Sequence, residues 1–197
     1  VNGGISAENL ASSVLPDENE LNVDWIEIAR QSETLADVAA AMRGTPWGSA
    51  ISDMDADARL QEYEDTLDRH YYREAITELK LSGLGHSLLL GYLRKEIDHR
   101  NIVNLLRALR QDLTLEQRMD AMLDGGSALK GGLLKSAAEA DNQDALVEVL
   151  RRSIMDTAEL EEKIEESNKY GGFDPVVSYL AEERRSDMRR MSHLNPL

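Results

Sequence analysis

Apolar positions are densest between Ser82 and Gln111, in SGLGHSLLLGYLRKEIDHRNIVNLLRALRQ. Leu88, Leu89, Leu90, Tyr92, Leu93, Ile97, Ile102, Val103, Leu105, Leu106 and Leu109 would cover more than half the circumference of a helix, and no proline interrupts them. Such a helix is expected to be buried, roughly 36 Å long, with the rest of the chain supplying helices that wrap it. It also carries Glu96, Asp98, Arg100, Asn101, Asn104 and Arg107. A polar group inside a core costs roughly 1 to 3 kcal/mol unless a partner satisfies it. The pattern therefore predicts a polar seam between helices, structural rather than catalytic. Glu96 with Arg100 and Asn104 with Arg107 have the spacings that bring side chains together on a helix. On this reading Arg107→Ala strands a buried partner at a cost of about 2 to 4 kcal/mol.

The flanking patterns are helical as well. Residues 1 to 15 read as the remnant of a helix after an Asn-Gly-Gly turn, closed by Pro16 and the DENE run. Asn22 and Ser32 are expected caps for two short helices, the second with Leu35, Val38, Ala39 and Met42 on one face and stopped by Gly44 and Pro46. From Asp57 to Leu81 a long helix is predicted with Leu60, Tyr63, Leu67, Tyr71, Ile76 and Leu79 as its inner stripe. Thr114 to Gln117 spells a capping box for a helix ending at Asp124-Gly125-Gly126. Further helices are expected at 127 to 139, 142 to 154, 157 to 168 with Asp156 and Glu159 as a capping box, and 173 to 183 with Pro175 in the first turn. No five-residue alternation argues for a strand, so the expected class is all-α.

Composition sharpens this picture. The chain has 197 residues, 42% hydrophobic and only 5% aromatic, rich in Ala and Leu as helical proteins are. There is no cysteine, which excludes disulfide scaffolds, thiolate metal sites and cysteine nucleophiles. No run reaches the roughly 18 apolar residues of a membrane span. Thirty-seven acids against twenty-two bases give a formal net charge of −15, and lysine is confined to Lys80, Lys95, Lys130, Lys135, Lys163 and Lys169. Acid spread along the whole chain with scarce lysine is expected of a protein adapted to a salt-rich, halophilic cytoplasm, where screening weakens self-repulsion. No basic patch interleaved with aromatics is present, which argues against nucleic acid as a partner.

Candidate chemistry is thin. Asp53, Asp55, Asp57 and Glu64 fall at positions 1, 3, 5 and 12 of an EF-hand loop, but Ala58 stands at position 6, where a positive φ requires glycine. These carboxylates define the alternative function, a metal-dependent all-α enzyme or a calcium-binding helical protein. Gly85-His86-Ser87-Leu88 imitates a nucleophile elbow without its strand or final glycine, and Ser87 reads instead as a helix cap. Gly126 to Gly132 lacks the Lys-Ser/Thr ending of a phosphate loop. His70, His86, His99 and His193 show no ligand spacing. No catalytic, cofactor-binding or metal-binding residue is assigned, and no cofactor is expected.

Weak self-similarity pairs NGG followed by LADVAAAMRG with DGG followed by ALVEVLRRS, and Asp65–Leu79 with Glu159–Leu180, a period of about a hundred residues. It divides the chain into 1–31, the tail of a preceding helical module, 32–140, a complete module, and 141–197, the start of a further, truncated one. The chain then looks excised at both ends from something longer. The segments GTPWGSAI (44–51), LDRHYYREAI (67–76), LLLGYLRKEIDHRNIVNLLRALR (88–110) and MLDGGSAL (122–129) resemble the C subunit of the archaeal A-type (V-type-like) ATP synthase, the counterpart of the d subunit of the eukaryotic vacuolar ATPase. The most specific piece is Tyr92, Lys95-Glu96-Ile97-Asp98, Asn101-Ile102, Asn104-Leu105 and Arg107, in the order and spacing of that family. The resemblance implies three similar helical modules arranged as a funnel. It also implies a non-catalytic central-stalk component, peripheral on the cytoplasmic face of the cell membrane. Such a component joins the membrane proteolipid rotor ring to the central stalk subunits D and F, in proton (or sodium) driven ATP synthesis.

Overall fold

The computed structural model describes residues 25–81, 84–153 and 157–194, and among them no strand occurs. The protein is all-α. Its elements are α1 (Trp25–Gln31), α2 (Leu35–Ala41), a 3-10 turn (Met42–Gly44), α3 (Gly48–Ile51), α4 (Leu60–Leu81), α5 (Leu84–Arg110), α6 (Leu115–Asp120), α7 (Gly131–Ala138), α8 (Gln143–Leu150), α9 (Ala158–Tyr170) and α10 (Asp174–Leu194). The chain divides into two compact units, Val1–Tyr71 and Tyr72–Leu197.

Within the first unit, Ala39, Met42, Ile51 and Tyr63 are buried, and Leu35, Val38, Trp47, Met54, Ala58 and Leu67 pack around them. The cap of α2 is Thr34, not Ser32. Its side chain accepts from the Asp37 amide while the Asp37 carboxylate accepts from the Thr34 amide, a reciprocal box that outcompetes a lone serine. His70 bonds the Pro46 carbonyl at 3.1 Å. The stripe along α4 also differs from expectation. Leu60 and Tyr71 are 56% and 51% exposed, whereas Tyr72 is buried, because the 3.6-residue period carries Tyr72, rather than Tyr71, onto the face of Ile76 and Leu79. The predicted helix in residues 1 to 15 and the Asn22 cap lie outside the described residues.

The second unit is built on α5, 27 residues or about 40 Å long. Ile97, Ile102, Leu105 and Leu106 are fully buried. Ile97 and Leu93 pack with Tyr72, Ile76 and Leu123, while Ile102, Val103, Leu105 and Leu106 enter a larger cluster with Leu129, Leu134, Leu146, Leu150, Leu160, Val176 and Leu180. The helix begins at Leu84, so Ser87 lies inside it and is not its cap. It ends where Asp112 takes a left-handed conformation (φ 51°) and the Leu113 amide bonds back to the Ala108 carbonyl.

The Thr114 capping box forms as expected. Helix α6 nevertheless stops at Asp120, short of Asp124, and α7 starts at Gly131, not 127. Residues 121–130 stay irregular because side chains of α5 take their backbone groups, as detailed below. The helices from 143, 158 and 174 start within a residue of the expected places, and α10 runs well past the predicted 183. Thr157 is the residue at the cap of α9, and Asp156 lies outside the described residues.

Two glycines in the irregular stretch are required by space. A Cβ on Gly126 would stand 2.2 Å from Oδ1 of Asp98 and 2.8 Å from the Leu129 carbonyl oxygen; Gly125 has φ +101° and faces Ile76 Cδ1. Gly132, in the first turn of α7, has nothing within 4 Å. Gly126→Ala is therefore expected to lower unfolding free energy by about 1 to 3 kcal/mol. Gly132→Ala should leave it unchanged or raise it by about 0.4 to 1 kcal/mol. Urea unfolding of the two variants side by side checks the contrast.

Candidate functional site

The polar residues of α5 do not form one seam. They fall on separate faces of the helix, and each face holds a different part of the second unit. The first is Asp98, Asn101 and Asn104, spaced three apart so that they climb one side. Asp98 is 3% exposed, and its carboxylate accepts three backbone amides: Ser127 (3.0 Å) and Ala128 (2.8 Å) on Oδ2, Leu129 (2.9 Å) on Oδ1. Asn101, fully buried, donates to the Leu123 carbonyl at 2.9 Å and accepts from the Leu123 amide at 2.8 Å. Asn104 donates to the Ala121 carbonyl at 3.0 Å. Three side chains thus replace the hydrogen bonds that residues 121–129 forgo by not being helical.

A second face meets α10 through ions. Lys95 Nζ bonds Glu183 Oε1 at 3.1 Å and also bonds Asp187. His99 is 2% exposed, with Nε2 3.3 Å from Glu183 Oε2 and Nδ1 3.4 Å from Arg184 Nη1. The His99–Glu183 approach is an ion-pair distance without hydrogen-bond alignment. The contact with His99 nevertheless contributes most to holding the Glu183 carboxyl at about 2; Lys95 adds to it, and burial opposes both. Burial likewise opposes the Lys95 ammonium, but its bonds to Asp187 and Glu183 outweigh that and hold its pKa above the ordinary lysine value.

The remaining faces are lighter. Tyr72 Oη donates to Glu96 at 3.1 Å, Arg100 lies over the Tyr72 ring, and Glu96 and Arg100 form the predicted i,i+4 pair at 3.8 Å. At the C-terminal end Arg110 sits 3.9 Å above the Phe173 ring and bonds Asn168 Oδ1 and the Ser167 and Gly171 carbonyls, where α9 ends and its dipole is negative. Arg118 does the same for the end of α7, bonding the Ala138 and Ala140 carbonyls. Arg107 corrects the expectation set for it: it is exposed and lies 6.0 Å from the Phe173 ring, because a row spaced three apart drifts about 60° round the helix at each step and by Arg107 has turned to the side opposite Asp98.

The carboxylates of the alternative reading are not brought together as ligands. Asp53, Asp55, Asp57 and Glu64 are all exposed, Asp55 Oδ1 accepts from the Asp57 amide, Glu64 lies within α4, and Ala58 packs on the first unit's core. Among the described residues no group of three potential ligands could hold a metal ion. The side chains of His86 and His193 lie outside the described residues. Sequence reasoning missed the His99–Glu183–Lys95 joint and the carbonyl-capping roles of Arg110 and Arg118. The only advance sign was their place on or beside helices already read as buried.

The arrangement is a scaffold: side chains of α5 bond the backbone of residues 121–129 and the charged groups of α10, and so orient the elements around it. The family model described as ATP synthase (C/AC39) subunit matches residues 1–197. The chain belongs to that family. Similar proteins are the A-type ATP synthase C subunit of Methanosphaera stadtmanae, 26% identical over 128 residues (62% of this chain, 33% of the relative), that of Archaeoglobus fulgidus, 30% identical over 104 residues (53% and 30%), and that of Thermoplasma acidophilum, 27% identical over 131 residues (66% and 36%). The chain spans about a third of the length of these curated relatives. No solved structure matches significantly. In this AC39-family chain, segments 88–110 and 122–129, joined by the Asp98 and Asn101 hydrogen bonds, are among those on which its resemblance to the family rests.

Two outcomes follow for the scaffold. Asp98→Ala strands three amides and should cost roughly 3 kcal/mol or more, and Asn101→Ala roughly 2 kcal/mol. Arg107→Ala should change stability by less than about 0.5 kcal/mol; equal losses at all three positions in chemical unfolding would contradict this map. For pH, Glu183 has a folded pKa of about 2, below its ordinary 4.5, so its contribution is complete above about 4.5 and disappears as pH falls toward about 2. Glu183→Gln should therefore be less stable than the parent at pH 6, and the gap should close as the pH is lowered through that window.

Proposed function

We propose that the protein is a non-catalytic coupling part of a rotary A-type ATP synthase. In this reading it stands between the membrane rotor ring and the central shaft formed by subunits D and F, on the cytoplasmic face of the membrane, and passes rotation during ion-driven ATP synthesis. The observation that carries it is the match of the AC39 family along the whole chain. The construction of the second unit supports it. A part that transmits torque has to resist shear between its helices, and locked side-chain to backbone bonds on a buried helix provide such resistance better than apolar contacts alone. No helix among the described residues is long and apolar enough to cross a membrane, consistent with peripheral attachment through the ring. We also propose the module boundaries 1–31, 32–140 and 141–197, as parts of a funnel of three such modules in a longer protein.

The test uses the full-length protein. Co-expressed with subunits D and F and the proteolipid ring, it should copurify with both. ATP-driven ion pumping in reconstituted vesicles should fall when it is omitted, while ATP hydrolysis by the soluble head persists. Copurification with neither partner, or undiminished pumping in its absence, would sink the reading.

A further inference from the structure

His99 is a buried titratable ring that the scaffold role leaves unused. Its two nitrogens face opposite kinds of group on α10. A guanidinium carries N–H donors and no acceptor, so Nδ1, 3.4 Å from Arg184 Nη1, has to present a lone pair. The neutral ring's proton then sits on Nε2, toward the Glu183 carboxylate at 3.3 Å. The other tautomer would set N–H against N–H on one side and a lone pair against a carboxylate on the other.

We infer that protonation of His99 is a switch in the joint between α5 and α10. An imidazolium turns a second N–H toward Arg184, which loses its acceptor and is expelled, while the same ring binds Glu183 more strongly. Acid thus changes which α10 side chain the His99 ring holds. Arg184 is poised for release: its Nε is buried without a hydrogen-bond partner, and its guanidinium lies 5.6 Å from the centroid of the Tyr92 ring. A half-buried guanidinium that loses its acceptor while a second cation forms beside it is driven toward water.

Most of the surrounding charges are committed elsewhere. On α5, Lys95 is held by Glu183 and Asp187, Asp98 by the amides of Ser127, Ala128 and Leu129, and Arg100 lies over Tyr72. From α4, Tyr72 bonds Glu96; from α6, Arg118 bonds backbone carbonyls. From α9, Lys163 pairs with Glu166, and with Glu159 they line the groove that Glu183 and Asp187 border.

The experiment is a pH titration of the nitrogen-15-labelled 197-residue chain by NMR, from pH 8 to 4.5, with His99→Gln and Arg184→Lys used to assign the two side chains. The expected result is an Nε2–H ring at high pH and an Arg184 Nε–Hε signal that shifts with the same midpoint as the His99 ring. A neutral ring protonated on Nδ1, or an Arg184 signal indifferent to the ring's titration, would overturn the inference. Thermal melting gives a second readout. Arg184→Gln should lower Tm by about 2–4 °C at pH 8 and by nothing once the ring is protonated. A penalty that stays constant with pH would mean that Arg184 is merely packed there.

Discussion

A carboxylate inside a helical core is tolerated only when donors surround it, and the Asp98 side chain sets much of the second unit through that requirement. Its two oxygens collect three consecutive amides, Ser127 to Leu129. Amides inside a helix are already committed to carbonyls four residues back, so three consecutive ones can converge on one carboxylate only where the chain is not in a helix interior and passes close by. That demand explains why α6 ends early, why α7 begins late, and why position 126 has no room for a methyl group. Asn101 and Asn104 extend the same logic along the stretch, one pairing with both polar groups of Leu123 and the other with the Ala121 carbonyl.

The hydrogen bonds also decide how apolar surface is distributed. Residues 121–129 are pinned against α5, and Met122, Leu123 and Leu129 of that stretch are buried. Leu123 joins the cluster of Ile76, Leu93 and Ile97, while Met122 and Leu129 join that of Leu106, Leu146 and Leu160. The irregular strap therefore contributes to both clusters, and the polar row and the packing reinforce each other.

The two principal polar faces of α5 differ in physical character. The Asp98 row bonds backbone amides and carbonyls, groups that carry no net charge and do not titrate. The α10 face is ionic and includes Lys95, His99, Glu183, Arg184 and Asp187, groups whose balance depends on protons and on salt. A single rod thus carries one contact made to uncharged backbone groups and one made between ions.

The sequence by itself determined the helical class, the length of α5, the Thr114 capping box, and the presence of polar residues that a core would have to satisfy; the burial it expected holds from Leu93 onward, while Leu89 is exposed. Each is written in local spacing: the 3.6-residue period, the Thr-x-x-Gln pair, and the run without proline. It did not separate Tyr71 from Tyr72 or buried Asp98 from exposed Arg107, because neighbours on a helix differ by about 100° and only the packed partner shows which angle faces inward. The carboxylates from Asp53 to Glu64 have ligand-like spacing, yet the backbone between them bends and starts a helix, so they remain apart in space. Tertiary structure alone decided that a strap of glycine and small residues should lie unwound along α5. The bonds that compensate its lost helix come from side chains about twenty to thirty residues earlier, and no local pattern carries an interaction made across that distance.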